Sequence, residues 1–402
     1  MTAFFTKVKR VDWILFACMV ALSVMGVRFV ESAGGARASA VLQNLWIAHA
    51  WTAAAGLAIC LALACVDYRK LMDWCAVPFY GVALTFLVAV LIFGSVRYGG
   101  KRWLWFFQPS ELAKVAVILL VAHVFGRADA SDPDARMNRL FGWRGAVRGL
   151  GLLGVPAVLI LAEPDLGTAL VLVPTVLAML LAAKVWTRGL VGLLCAGALA
   201  AGLMLGAVYA MEKSPPEKRG QIEKYLPLKD HQVRRLRVFL FPERDILGDG
   251  YNLRQAKLAI ASGGWRGKGH GEGSLKQLGY LPPTVSMNDF IFAVLAEESG
   301  FMGCLLLLTL YTGVLFSGLK AAFRAQDDRG RLLAVGVSML LFCHVYINVA
   351  MSIGLMPITG LPLPFISAGR TFLVVVMVCL GLIQSVAVHG GEENRYGAGA
   401  PE

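Results

Sequence analysis

Residues 287–301 read MNDFIFAVLAEESGF: a lone Asp289 at the mouth of an apolar segment, then an acidic pair, Glu297 and Glu298, deeper in it. Charge at membrane depth is costly, and a chain that keeps one there gives it a partner or a task. A carboxylate at the water boundary is a different object. It ionises, lies within reach of a lipid headgroup, and is basic enough to take a proton. The pattern points to chemistry on a lipid-linked substrate, with Asp289 receiving the proton. Glu297 and Glu298 read as polar contacts within a helix bundle.

Other polar residues recur at turns. Gln108-Pro109-Ser110-Glu111 and Glu163-Pro164-Asp165-Leu166-Gly167-Thr168 each place Pro near a first helical position, with Ser or Asp able to cap free amides. Capping explains Ser110 and Asp165 one by one. Two such helix N-termini brought together would also hold a pyrophosphate. Lys114 follows Glu111 by three residues, so the two share a helical face. A structural ion pair and an active-site element both fit. Arg102, in GGKRW just before this helix, is a natural anion contact.

Gly263–Gly273, GGWRGKGHGEG, imitates a nucleotide-binding loop without being one. Ser262 stands where the first glycine belongs, and Gly269 follows Lys268 where Ser or Thr is required. A flexible hinge, or backbone amides gripping a phosphate together with Lys268, are the readings that remain. Met356–Arg370, MPITGLPLPFISAGR, has too many Pro and Gly for a plain helix and predicts a rigid re-entrant turn. Such backbone survives at membrane depth only when buried in protein or lining a wet cavity.

The elements that must position these residues follow from composition. The chain has 402 residues, 57% hydrophobic and 16% charged, too little charge for a soluble protein of this length. Apolar runs long enough to cross a roughly 30 Å hydrocarbon core recur along it. Without a period-2 pattern the spans must be helices. Ten are predicted, at 12–30, 47–66, 72–94, 108–126, 146–162, 166–183, 188–210, 290–318, 332–355 and 371–389. The fold class is therefore all-α and polytopic, a single membrane domain over 1–402 with one large loop at 211–289. Within that loop, 252–262 predicts a short amphipathic helix.

Lys and Arg of the short loops concentrate on one side, from Lys7 and Arg10 to Arg329 and Arg331. The short loops of the other side hold only Arg28, Arg37, Arg97, Lys101, Arg102 and Arg370. The bias puts both termini in the cytoplasm and the long loop outside. The first span lacks a small-residue cleavage site and is read as retained. The formal charge of +12 is partly this signal. It is spread over many loops rather than gathered in a stripe, which argues against nucleic-acid binding. The eight cysteines fall in or beside spans with no zinc-like spacing and read as core packing.

GGKRWLWFFQPSELAK (99–114), EPDLGTAL (163–170), HQVRRLRVFLFP (231–242), DGYNLRQAKLAIASGGWRGKG (249–269), NDFIFAVLAEESG (288–300) and GLPLPFIS (360–367) resemble, in family order, the SEDS proteins of shape, elongation, division and sporulation, typified by RodA and FtsW. The match runs from about residue 10 to 389. EPDLGTAL and 246–257 look closer to the RodA branch. The resemblance implies a peptidoglycan glycosyltransferase of the bacterial inner membrane that polymerises lipid II on its outer face beside a class B penicillin-binding protein, a transpeptidase. It places the family's essential aspartate on Asp289. Arg102, Glu111, Lys114 and Asp165 fall on polar positions around a central cavity, and Lys268 and Ser367 join them as candidate substrate contacts. The last turn departs from the family's usual Ile-Ser-Tyr-Gly-Gly-Ser, reading Ile366-Ser367-Ala368-Gly369-Arg370-Thr371.

The chemistry fits these residues. A donor activated as a pyrophosphate already carries a good leaving group, so one carboxylate suffices where glycoside hydrolysis needs two. Asp289 would be the base for the incoming hydroxyl. Arg102, Lys114, loop cations or a divalent metal such as Mg or Mn would steady the departing charge. Ten spans and buried charges also suit a transporter or lipid flippase. No repeat relates the two halves beyond the QPSE and EPDL turns, however, and a transporter has no need of so long a cationic loop. A non-catalytic scaffold for the transpeptidase would tolerate loss of Asp289.

Overall fold

The computed structural model describes residues 10–34, 40–97, 100–104, 107–126, 142–163, 165–215, 230–245, 248–274, 279 and 281–390. It is an all-α polytopic membrane protein. Among the described residues, nine helices are long and apolar enough to cross a membrane. They are α1 (Trp13–Gly34), α2 (Leu45–Cys65), α3 (Tyr68–Phe93), α4 (Pro109–Gly126), α5 (Trp143–Ala162), α7 (Thr187–Lys213), α10 (Ile291–Arg324), α11 (Asp328–Ile353) and α12 (Arg370–His389). The tenth expected span is the shorter α6 (Leu166–Ala182). The hairpin β1 (Ser95–Arg97) and β2 (Gly100–Trp103) sits between α3 and α4 and carries Arg102.

Burial orders the bundle. The apolar window of α4 is 83% buried, those of α12 and α11 are 78% and 72%, and that of α7 is 6%. The first three form the centre, and α7 stands at the rim. The central helices hold the buried polar residues Glu111, Lys114, His344 and Asn348. Rim helices need only an apolar surface for lipid, which α7 supplies.

The region between α7 and α10 contains α8 (Asp230–Leu240), a 3₁₀ turn at Pro242–Arg244, α9 (Asp249–Ser262) and a helical turn at Pro283–Ser286. The expected amphipathic helix is α9. Leu253, Ala256 and Ala259 are its buried face, packed on α10 and α11.

One element differs from the sequence reading. The expected span 290–318 is a longer helix broken at Gly300, whose φ of 64° and ψ of −164° are non-helical. The piece after the break, at 1.5 Å per residue, is about 36 Å long and crosses a hydrocarbon core by itself. The glycine loop fills the break. Lys268 and Gly269 amides donate to the Glu297 and Glu298 carbonyls, both at 3.0 Å, and Phe301 and Met302 amides donate to Gly264 and Trp265 at 2.8 and 3.1 Å. Four backbone groups at the kink thus find partners in the loop, as a low-dielectric setting demands. The loop expected as a hinge or a phosphate grip is anchored on α10, with the amides of 268 and 269 committed to its carbonyls.

Candidate active site

Asp289 lies just before α10, in a segment held at three consecutive carbonyls. Ala368 N–H donates to Met287 O at 3.0 Å, Ser367 Oγ donates to Asn288 O at 2.7 Å, and Asn348 Nδ2 donates to Asp289 O at 3.0 Å. The same Asn348 amide donates to Leu361 O at 2.7 Å. Both partners are acceptors, which fixes the orientation of this buried side chain. Ser367 also accepts from Leu363 N–H at 2.8 Å. Ser367, an expected substrate contact, thus both donates and accepts within the protein next to Asp289.

The turn after α11 that supplies these clamps is rigid for a definite reason. Its prolines bring carbonyls without donors, and helices around it satisfy them. His49 bonds Phe365 O at 3.0 Å, Tyr311 donates to Pro364 O, and His344 Nδ1 faces Pro362 O at 3.4 Å. The sequence-predicted re-entrant turn is thus buried backbone wired to three helices. Gly360, at φ 73°, brings the main chain beside Asp289: a Cβ there would sit 3.7 Å from Oδ2.

Asp289 is part-buried. Burial pushes its pKa up to about 6, with Asp249 adding to the shift and Arg235 and Arg102 opposing it. Arg235 reaches in from α8, its Nη1 3.4 Å from Thr359 O. Burial and the like charge of Arg102 pull Arg235 downward, while Asp249, Asp165 and Asp289 hold it up. A guanidinium stays charged throughout. Two guanidiniums thus act on Asp289, one from β2 and one from α8.

The two capped N-termini meet at Asp165. Its Oδ2 accepts from Gln108 Nε2 at 2.8 Å, Ser110 Oγ at 3.3 Å and Thr168 Oγ1 at 2.8 Å. Its Oδ1 accepts from Thr168 N–H at 3.2 Å and lies 3.7 Å from Arg102. Capping and the placement of Arg102 are therefore one device, since the cap of α6 also faces Arg102.

Lys114 and Glu111 pair at 2.9 Å inside α4, with Lys114 wholly buried. The Lys114 ammonium also lies 2.9 Å from His344 Nε2 and 5.3 Å from the Phe372 ring centre. An ammonium only donates, so His344 Nε2 accepts and its Nδ1–H serves Pro362. The pair is wired to the turn that clamps Asp289. Lys268 is turned elsewhere, to Glu297 Oε1 and Ser274 Oγ, both at 2.7 Å.

The structure brings together Asp289, Arg102, Asp165 and Ser367, seals Glu111 and Lys114 beneath them, and leaves Lys268 with the glycine loop. Sequence reasoning missed Arg235, Asn348 and His344. Arg235 was only one of the cations Arg234, Arg235 and Arg237, with nothing in their spacing to single it out. A lone Asn or His in an apolar helix carries no pattern.

A profile of the FtsW/RodA/SpoVE family, described as cell cycle protein, matches residues 12–392. The chain is 38% identical over 340 residues to the peptidoglycan glycosyltransferase MrdB of Escherichia coli K12, covering 84% of each chain. It is 31% identical over 393 residues to a probable peptidoglycan glycosyltransferase FtsW of Trichlorobacter lovleyi, covering 95% of this chain and 94% of the relative. Among solved structures, a chain of a peptidoglycan synthase complex that coordinates polymerization and crosslinking superposes with a TM-score of 0.71 at 28% identity, covering 94% of this chain and 97% of that one.

Proposed function

The chain belongs to the FtsW/RodA/SpoVE family of cell cycle proteins, and from that premise we propose that it is a peptidoglycan glycosyltransferase whose base is Asp289 and whose substrate is lipid II. The observation that carries this reading is the placement of Asp289. The main chain of 287–289 is clamped at three carbonyls, while the Asp289 carboxylate is left to the charges of Arg235 and Arg102 and no closer ion pair among the described residues.

Asp289 takes the proton from the acceptor sugar's 4-hydroxyl as that oxygen attacks the donor's anomeric carbon. The bond from that carbon to the pyrophosphate oxygen breaks. The lipid pyrophosphate leaves with the electron pair, and the α-linked donor becomes a β-linked product. A pKa near 6 suits a base at neutral pH: most of the group is ionised, and it binds a proton more firmly than an ordinary aspartate. Arg235 and Arg102 are placed to meet the pyrophosphate charge, Arg102 being held by Asp165. Glu111 and Lys114 support the site from below, through His344 and the turn.

The residues do not fit a resident metal. Among the described residues no three His, Cys, Asp or Glu side chains converge on one point, and both oxygens of Asp165 are already committed. A divalent cation, if the reaction uses one, would enter on the lipid pyrophosphate and would supply charge neutralisation there.

The basic short loops support a topology with both termini in the cytoplasm and the site on the outer face of the inner membrane. The likeness to a synthase-complex chain supports a class B penicillin-binding protein as partner. The test is glycan formation from labelled lipid II by the purified protein with that partner, wild type against Asp289→Ala. Polymer from the wild type and none from a folded, partner-bound variant supports the assignment. Equal polymer from both removes Asp289 from the chemistry.

A further inference from the structure

The helix that carries Arg235 has two neighbours. Val233 of α8 is buried with Val208 and Met211 of α7, and Leu236 and Leu240 pack on the same small cluster, which is separate from the main core. Val238 belongs to the main core instead. Arg235 Nη1 lies 3.4 Å from Thr359 O. The next residue of that turn, Gly360, is the one where a Cβ would sit 3.7 Å from Asp289 Oδ2. So α8 bridges the outer end of α7 and the turn beside the base. With 11 residues it is too short to hold its shape alone in water, and its place is set by what it packs on.

The firmest of those contacts is Glu212, in the last turn of α7 and 4% exposed. Its Oε1 pairs with Arg237 Nε of α8 at 2.5 Å, and its Oε2 accepts from Arg244 Nη1, in the 3₁₀ turn after α8, also at 2.5 Å. Tyr209 of α7 stacks on Phe241 beside them, with ring centres 5.6 Å apart. A carboxylate is tolerated in such burial only when its charge is met, and here α8 and the turn that follows it meet both oxygens. At 3.6 residues per turn, side chains two residues apart leave a helix in nearly opposite directions. Pinning Arg237 to α7 therefore turns Arg235 away from α7, toward Thr359 and the Asp289 turn.

We propose that Glu212 is a positioning residue for the transfer: it fixes the rotation of α8 on α7 and thereby holds Arg235 where the lipid pyrophosphate departs. The inference rests on the polymerase reading above. Glu212 touches no substrate and acts through Arg237 and Arg244. The side chains of those two arginines are 38% and 49% accessible, so water takes them up when the carboxylate is lost. Glu212→Gln thus loosens the rotation of α8 without leaving a buried charge unpaired, while the valine cluster and the stacked rings keep the helix on α7.

The experiment measures lipid II polymerisation, with the partner present, for wild type, Glu212→Gln, Arg235→Gln and the double variant. Glu212→Gln is expected to lose kcat about tenfold as Arg235 drifts from its place. In the Arg235→Gln background the same substitution should cost less than about twofold, because the group it positions is already gone. A merely structural role gives the same loss in both backgrounds, and that result would overturn the proposal. Wild-type turnover by Glu212→Gln would overturn it too. Wild-type turnover by Arg235→Gln would remove what Glu212 positions, with the role of Asp289 untouched. Arg237→Gln, which keeps the pair of Glu212 with Arg244, takes the place of Glu212→Gln in the cycle if that protein does not fold.

Hydrogen exchange of the same complexes, without substrate, reads the attachment directly. Amides of 232–240 should exchange faster in Glu212→Gln, while those of α4 and α11 keep their wild-type protection. Unchanged exchange at 232–240 would show that α8 is held by other contacts and would end the proposal. Polymer from none of the proteins would sink the polymerase reading instead, with the exchange series still deciding what holds α8.

Discussion

Asp289 and the pair Glu297–Glu298 are close neighbours in sequence, and the structure treats them in opposite ways. Glu297 Oε1 accepts from Lys268 Nζ at 2.7 Å and from Ser274 N–H at 2.8 Å. Glu298 accepts from Ser32 Oγ and lies 3.4 Å from His270. Both acids have their side chains engaged. At Asp289 the engaged group is the main chain, through Asn348 at its own carbonyl and through Ala368 and Ser367 at the two carbonyls before it. A carboxylate whose oxygens are filled by fixed donors is a fastener, because its affinity for a proton or a ligand is spent. A carboxylate whose backbone is fixed and whose oxygens are left free can do work on a substrate.

The contrast is sharpest at Asp289 itself. Asp289→Asn keeps the shape and removes the base, so polymerisation should fall by about 10²–10⁴-fold. Melting should not suffer. The native pKa is raised above the ordinary 3.8, so the ionised acid weakens the fold above that pH and its removal relieves the strain. Wild-type turnover should decline below about pH 6 as the base protonates. A rate independent of pH from 5 to 7 would take Asp289 out of the proton transfer. Next in size is Arg235→Gln, expected to cost about 10²-fold as one preorganised donor to the leaving charge is lost. A variant that polymerises at the wild-type rate would confine the pyrophosphate to Arg102.

Asn348→Leu tests the other half of the contrast, the fixed backbone. It leaves every atom of Asp289 in place and removes one clamp and the link to Leu361, so kcat should drop about tenfold with little change in KM. If kcat holds, the clamp at Asp289 O is dispensable.

The fold was legible in the sequence because lipid imposes a coarse rule, an apolar run long enough to span, and the order of runs survives errors at their ends. Asp289 was legible because a lone acid at the mouth of such a run has no structural excuse. The break at Gly300 was not. It lies in a run that reads as one span despite Glu297, Glu298 and Ser299, and the backbone groups beside it are satisfied by a loop about thirty residues earlier in the chain. For the same reason the pairing of Lys268 with Glu297 was not legible: Glu297 reads in sequence as a deep acid of a continuous span. Arg235 and Asn348 are defined by what α8 and α11 meet in space, and no local spacing records that meeting.

The smallest expected effect on activity belongs to Glu297→Gln, and it is the most direct test of the fastener reading. The substitution keeps an acceptor for Ser274 N–H but removes the charge facing Lys268. Lys268 is part-exposed, with 30% of its side chain accessible, so water recovers much of what the ammonium loses. The cost should be about 1–2 kcal/mol of stability, in the range of a charge-assisted hydrogen bond weakened to a neutral one. Polymerisation per folded molecule should stay within about twofold of wild type. Lys268→Met should cost a similar amount. The two together should cost less than their sum, since either change alone already ends the same interaction. Additive losses in that cycle would mean that Glu297 and Lys268 act through different partners. A large loss of turnover in a well-folded Glu297→Gln protein would show that the glycine loop, not only Asp289 and its clamps, sets the geometry of the reaction.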